Sequence, residues 1–351
     1  MPLDTIEPSL AERWKALRAA EPNIRIFDAA ARLETGEMSL LRIDPEARVR
    51  RLKPDWRAAF DGISALGRTM ALTRNRSCVH ERKGTYGRAK IDAGTGLVLG
   101  EDIDLRLFLS GWRHVYAVEP ADTKRRPSLQ FFDAAGSAVH KVHLLEESDR
   151  SAFDALVGAL AEAGEPAEAP AAARGHGGER PDDGRPVDVA ALRAAWLALR
   201  DTHDFFAMLR KFGVSRLRAF ELAGADLARP LARNVVTALL DRASASGVSI
   251  MVFVGNRGCI QIHTGPVQNI KPMGPWINVL DPAFNLHLRA DLVTSAWLVR
   301  KPTDDGVVTS VELFDAEGGT IAMFFGARKP GKPELPAWRM LAEGLPEAEG
   351  G

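Results

Sequence analysis

The sequence predicts an α+β fold built twice in tandem, and three observations carry that prediction. Blocks of sequence recur at a nearly constant offset. Within each recurrence helical periodicity comes first and strand periodicity follows. An Ala-, Gly- and Pro-rich stretch separates the two. The recurrence is read from residues 70–79 against 251–260, which places Asn75-Arg76 on Asn256-Arg257 and Cys78 on Cys259, 181 positions apart. Residues 104–107 align with 285–288 at the same offset, while 129–136 align with 311–318 and 10–18 with 192–200 at 182. Four collinear blocks mark an internal duplication. The expected organisation is an N-terminal repeat over 1–161, a flexible linker over 162–186 and a C-terminal repeat over 187–345.

The elements follow in order. Leu10, Trp14 and Leu17 recur at helical spacing, as do Val189, Leu192, Trp196 and Leu199. A helix is expected over 201–212, with Asp201 and Thr202 as cap residues, Phe205, Leu209 and Phe212 as its apolar stripe, and Gly213 as its end. A short helix follows from Ser215 and another over 234–243. The pattern then changes to strands at 250–254, 259–264, 276–280, 284–288, 295–300, 309–314 and 320–325, with 315–319 as a hairpin turn. Short links imply an antiparallel meander, and helices followed by strands give the α+β class. The linker has no apolar periodicity. Its His176 has nothing to fix its geometry.

Bulk properties bound the function. A chain of 351 residues can bury two ordinary cores, and 46% apolar with 26% charged residues is a globular composition. Basic and acidic residues balance at 46 each, without the positive excess that a broad nucleic-acid or anionic-membrane footprint needs. Two cysteines are too few for a disulfide framework or a structural zinc site. The N-terminus lacks a signal-peptide pattern, and no run approaches the roughly 20 apolar residues that span a bilayer. A cytoplasmic protein that is not integral to a membrane is expected.

Differences between the copies mark positions that one copy has specialised. His203 corresponds to Glu21. A histidine in the first turn of a helix feels the positive end of the dipole, which disfavours protonation, and a neutral imidazole on a rigid element is what an iron ligand requires. The plain alternative is a half-exposed helix-start residue. His263 and His287 lie on expected strands, and His140 and His143, three apart on a strand, face opposite sides and form no joint metal site. Asn75-Arg76 and Asn256-Arg257 read as a structural turn in each copy, and Cys259 as a small buried hydrophobe. Thiolate ligation of iron is the lesser alternative for Cys259. Residues 205–222 have helix-turn-helix spacing, but only Arg210, Lys211, Arg216 and Arg218 are basic there, so no stable nucleic-acid binding is expected.

A family resemblance adds to this. Thr202-His203-Asp204-Phe205-Phe206, then 251–259, then Arg300-Lys301-Pro302-Thr303 and Gly326-Ala327-Arg328 resemble the hemin-degrading factors, the HemS/ChuS/PhuS-like haem-utilisation proteins of bacteria. The first copy resembles the same family through Thr73-Arg74-Asn75, 104–109 and 128–133, so the likeness covers nearly the whole chain outside the linker. It implies a haem b (iron protoporphyrin IX) in a cleft formed with the C-terminal copy. His203 matches the proximal iron ligand, and Arg106 matches an arginine reaching from the first copy over the opposite haem face, where it can hold a water. Phe108 and Phe253 match aromatic residues near the macrocycle; Lys301, Arg328 and, as a further candidate, Arg216 match basic groups near the propionates. Met323 and Phe325 depart from the pattern, standing where several relatives carry Gln and Tyr.

The residues meet the chemistry of haem on their own terms. An apolar plate is served by Phe205, Phe206, Phe253 and Phe325, the iron by His203, and two carboxylates by Arg216, Lys301 and Arg328. Each has a bland alternative: Phe205 and Phe253 as core, Lys301 as a solvated loop lysine, and Arg106, alternating with Leu105 and Leu107, as a surface residue. The expected function is a cytoplasmic haem carrier of haem uptake. It would receive haem from an inner-membrane importer and deliver it to a haem oxygenase or other acceptor for iron release. The alternative is an enzyme that cleaves the porphyrin with O2 and a reductant; a haem-responsive DNA-binding protein ranks third. A second, weaker haem site in the first copy would fall to His80 or His114.

Overall fold

The structure, a computed structural model, describes residues 8–122, 125–162, 184, 186–329 and 331–348. Most of the expected linker, His176 included, lies outside the described residues. The first copy runs α1 (Leu10–Ala20), α2 (Ile26–Arg32), α3 (Glu37–Arg42), β1 (Ala47–Leu52), α4 (Trp56–Ser64), β2 (Arg68–Arg74), β3 (Cys78–Thr85), β4 (Ala89–Asp92), β5 (Thr95–Leu99), β6 (Asp104–Leu107), β7 (Trp112–Pro120), β8 (Ser128–Asp133), β9 (Ala138–Leu144) and α5 (Arg150–Leu160). The second repeats it element for element: α6 (Val189–Leu197), α7 (Asp204–Phe212), α8 (Arg216–Ala223), β10 (Ala228–Leu231), α9 (Val235–Ser246), β11 (Ile250–Gly255), β12 (Cys259–Gly265), β13 (Ile270–Met273), β14 (Trp276–Leu280), β15 (Phe284–Arg289), β16 (Ser295–Thr303), β17 (Gly306–Phe314), β18 (Thr320–Gly326) and α10 (Pro336–Glu343). The tandem α+β fold class expected from the sequence is the one found.

The strands form two antiparallel nine-stranded sheets, and the copies exchange three strands each. One sheet is ordered β1-β7-β8-β9-β2-β3-β15-β14-β13 and the other β10-β16-β17-β18-β11-β12-β6-β5-β4. Leu107 pairs with Cys259 to join β6 to β12, and Leu288 pairs with Cys78 to join β15 to β3. The exchange places Arg106, a residue of the first copy, in the sheet of the second. At Gly84, the penultimate residue of β3, a Cβ would meet the Asp102 Cβ at 2.1 Å, so only glycine passes there.

The repeated asparagine turns stitch the copies together. Asn75 Oδ1 accepts the N–H groups of Ser77 and Cys78, while its Nδ2 donates to the carbonyls of Gly255 and Ile321. Asn256 does the reciprocal, with its Oδ1 accepting from Gly258 and Cys259 and its Nδ2 donating to Arg74 and Val139. One face of the second sheet is sealed by α9 and α10, with Val252, Val254, Leu298, Val311, Phe324 and Trp338 in one core. Among the described residues the opposite face is covered towards β16 and β17, where α6, α7 and α8 pack on Trp297, Val299 and Phe314.

Candidate functional site

Cross-strand pairing defines that opposite face. Residues directly paired in an antiparallel sheet project to the same side. Arg106 pairs with Ile260 and Leu97, Phe253 with Met323, Met323 with Glu312, and Phe325 with Met251 and Ser310. Ser310 pairs with Val299, and Lys301, two residues further along β16, faces the same way. The face is therefore a floor of Met251, Phe253, Ile260, Met323 and Phe325, all half-buried, extended by the exposed Leu97 and Leu99. Arg106 stands on β6, three strand spacings from β18, or about 14 Å at roughly 4.8 Å each. It is ion-paired with Asp104. Phe108 follows β6, is 38% exposed, and donates its N–H to the Gly258 carbonyl.

His203 sits at the other margin. Arg200 grips the β16–β17 hairpin through Asp304, backbone and side chain both, and the chain then turns at 201–203 before α7 begins. The helix thus starts at Asp204 rather than at the expected 201. The Asp201 side chain accepts the His203 N–H at 2.8 Å, closing a local turn instead of capping a helix. The same oxygen lies 2.6 Å from His203 Nδ1. These two contacts hold Asp201 below the usual carboxylate range, the backbone N–H contributing most. The His203 side chain is 85% exposed, and its Nε2 makes no hydrogen bond among the described residues. Gly213, at φ 66°, closes α7 as expected, and the Ser215 side chain caps α8.

Between α7 and the floor lies a buried charged cluster. Glu312, with no exposure, accepts from Lys301 Nζ at 2.6 Å, Ser310 Oγ at 2.8 Å and Arg216 Nη1 at 2.8 Å. Burial pushes its carboxyl up, but the Lys301 and Arg216 cations outweigh that and hold it at about 2. Lys301 is 3% exposed on β16. The reading of it as a solvated loop lysine is corrected: the strand runs on through Pro302 and Thr303, and its ammonium turns inward to Glu312. Both cations lie over the Phe205 ring, Lys301 at 4.8 Å and Arg216 at 5.2 Å, and Lys301 also reaches Phe325 at 5.7 Å. Arg328, just past β18, is ion-paired with Asp305 at 3.1 Å.

The structure thus gathers Arg106, Phe253, Phe325 and Lys301 on one face, with Phe205 and Arg216 packed against it, and His203 at its margin. Other expected candidates go elsewhere. His80 and His263 are buried against the Phe284 ring, their ring nitrogens without a hydrogen bond among the described residues. A first-copy haem site at His80 is corrected on that ground. His140 is buried between Thr73 and Tyr86. Cys259 is buried and its thiol is pushed up to about 12, so thiolate ligation is corrected too. The helix-turn-helix spacing is real, but α7 and α8 bury their apolar faces in one core and Arg216 points to Glu312. Sequence reasoning missed Glu312 and Asp201's contact to the ring. A glutamate alternating with Ser310 inside an apolar strand was the available signal for the first.

Comparison with known proteins follows the same lines. The family model for the haemin-degrading HemS/ChuX domain matches twice, over 34–160 and 213–345. The hemin transport protein HemS of Yersinia enterocolitica is 37% identical over 336 residues, covering 94% of this chain and 95% of its own. The crystal structure of holo-PhuS, a heme-binding protein from Pseudomonas aeruginosa, has 46% identity and a TM-score of 0.88, covering 97% of this chain and 100% of that one. The heme degrading enzyme ChuS of Escherichia coli O157:H7 has 34% identity and a TM-score of 0.87, covering 95% and 98%.

Proposed function

The chain belongs to the haemin-degrading HemS/ChuX family, and on that premise we propose that it binds haem b through His203 Nε2 as a carrier of haem uptake. One observation carries the ligand assignment: Asp201 takes Nδ1 and leaves Nε2 exposed, two residues before Phe205, whose ring lies against Lys301 on the face of the floor. A carboxylate on the far nitrogen fixes tautomer and ring orientation, which is how protein ligands of metals are held. The residues fit haem in kind: an imidazole, an apolar face and cations at its borders. Phe253, Phe325 and Phe108 would hold the macrocycle, and Arg106 would supply a cation from its own margin of the same face. Arg328 would meet the propionates, with Lys301 and Arg216 supplying positive charge behind Phe205. The bound group supplies the iron that is to be delivered.

The carrier reading draws support from Met323 and Phe325. Both lie on the floor, and neither would give a bound haem the hydrogen bonds that oxidative ring cleavage needs. In this role the protein accepts haem from an inner-membrane importer and passes it, in the cytoplasm, to a haem oxygenase or another acceptor. The enzyme reading is kept because one relative is named a heme degrading enzyme. Among the described residues no helix is long and apolar enough to cross a membrane.

Haemin titrated into the protein is expected to give a Soret band saturating near one equivalent, with His203→Ala shifting the band and weakening binding. An unchanged spectrum and affinity in that variant removes the ligand assignment. The complex is then given a physiological reductant and catalase. Absence of an open-chain tetrapyrrole supports the carrier; its formation with catalase present establishes the enzyme.

A further inference from the structure

We propose that Glu312 positions the iron-ligating turn: by drawing Lys301 and Arg216 into one buried cluster beneath Phe205, it fixes where α7 begins and where His203 points. This rests on His203 being the haem ligand. Both Glu312 oxygens are engaged, Oε1 by Lys301 and Ser310 and Oε2 by Arg216. The two cations thus held lie against the Phe205 ring, at 4.8 and 5.2 Å. Phe205 is the second residue of α7, two past His203, and is 1% exposed with its edge on Trp196 at 4.6 Å. A ring clasped by desolvated cations on one side and an indole on another has little freedom to slide. The turn at 201–203 inherits that placement. Asp201 sets the rotation of the imidazole, and the Glu312 cluster sets the position of the backbone that carries it.

The comparison of copies supports this independently. Phe314-Asp315 aligns with Phe132-Asp133, so Glu312 falls on Gln130, while Ser310 falls on Ser128. Val299 pairs with Ser310 as Val118 pairs with Ser128, which puts Lys301 on Pro120. The first copy, with Glu21 in place of His203, therefore lacks both the carboxylate and the ammonium. Gln130 is instead bonded to Ser128. His203, Glu312 and Lys301 occur together in one copy and none stands at the aligned position of the other, whose buried pair is instead Lys141–Glu37 at 2.7 Å.

The rival role for Lys301 and Arg216 is direct contact with the propionates. The test therefore uses two probes, haemin and the iron protoporphyrin dimethyl ester, whose carboxylates are blocked. For Glu312→Gln we expect at least a tenfold loss of affinity for both probes. The ferric electron paramagnetic resonance spectrum should move towards that of His203→Ala. Circular dichroism of the free protein reports whether the variant folds. If leaving two cations without their carboxylate prevents folding, Glu312→Gln/Lys301→Met is read in its place with the same expectations. Wild-type affinity and spectrum with both probes overturns the proposal, and so does a loss confined to haemin, which would put the cluster on the propionates. His203→Ala binding like the wild type instead removes the premise.

Discussion

Asp201 holds the His203 ring at Nδ1, and this contact decides which nitrogen is offered outward. The pair is exposed, so it adds little to stability; under the proposed ligand role its effect falls on haem affinity. Asp201→Ala is expected to leave the unfolding midpoint of the free protein nearly unchanged. Haem affinity should fall by about 10- to 100-fold, as for loss of an outer-shell partner. Equal affinity in a haemin titration would refute this. At this scale His203 was legible because Glu21 stands at its place in the other copy. Glu312 was not, because a strand pattern shows that a charge is present without showing which cations reach it.

At the scale of the element, the strands were legible from alternation while their partners were not. A hairpin such as β4–β5 carries the same apolar period whichever sheet it joins, so nothing local tells it to cross to the second copy. β10 and β13 escaped notice because Pro230 and Pro272 interrupt them. Both are outermost strands, where a missing N–H does little harm. The asparagine turns were recognised as structural, and the exchange of hydrogen bonds explains why both copies keep them. Asn256→Ala removes two donations to the first copy and two acceptances within its own turn. A destabilisation on the order of 2–4 kcal/mol by urea unfolding is expected, with haem affinity unchanged where the variant remains folded. A change under 1 kcal/mol would mean that water replaces these bonds at no cost.

At the scale of the whole molecule, the meeting of the two sheets is polar in an unusual way. His80, His140 and His263 are buried there. Burial, reinforced for His80 and His263 by Arg82, depresses all three, His263 to about 4 and His140 to about 3. Folded, they are neutral; unfolded, they take up protons below about pH 6.5. The unfolded chain therefore binds more protons, and the stability fully present above pH 6.5 is lost as pH falls towards those depressed values. Each histidine contributes about 1.4 kcal/mol per pH unit to that slope. Unfolding free energies measured from pH 7 to 5 should decline steeply, and His263→Phe should flatten the decline by about one proton. An identical slope in that variant would show that the group titrates normally in the folded protein.

The exchange of three strands in each direction has a consequence for how such a chain is assembled. A single copy severed from the other would present β3 or β12 as a raw edge, with its own outlying hairpin unable to close that edge. Two such copies could satisfy each other only by trading hairpins. The protein is in that sense an obligate pair written as one polypeptide, its partner always at hand whatever the dilution. Tethering also frees the two halves to diverge, because they need no longer be identical to pair. That freedom is what allows one half to carry His203 opposite Glu21 of the other, while Arg106 of that other half lies across the seam.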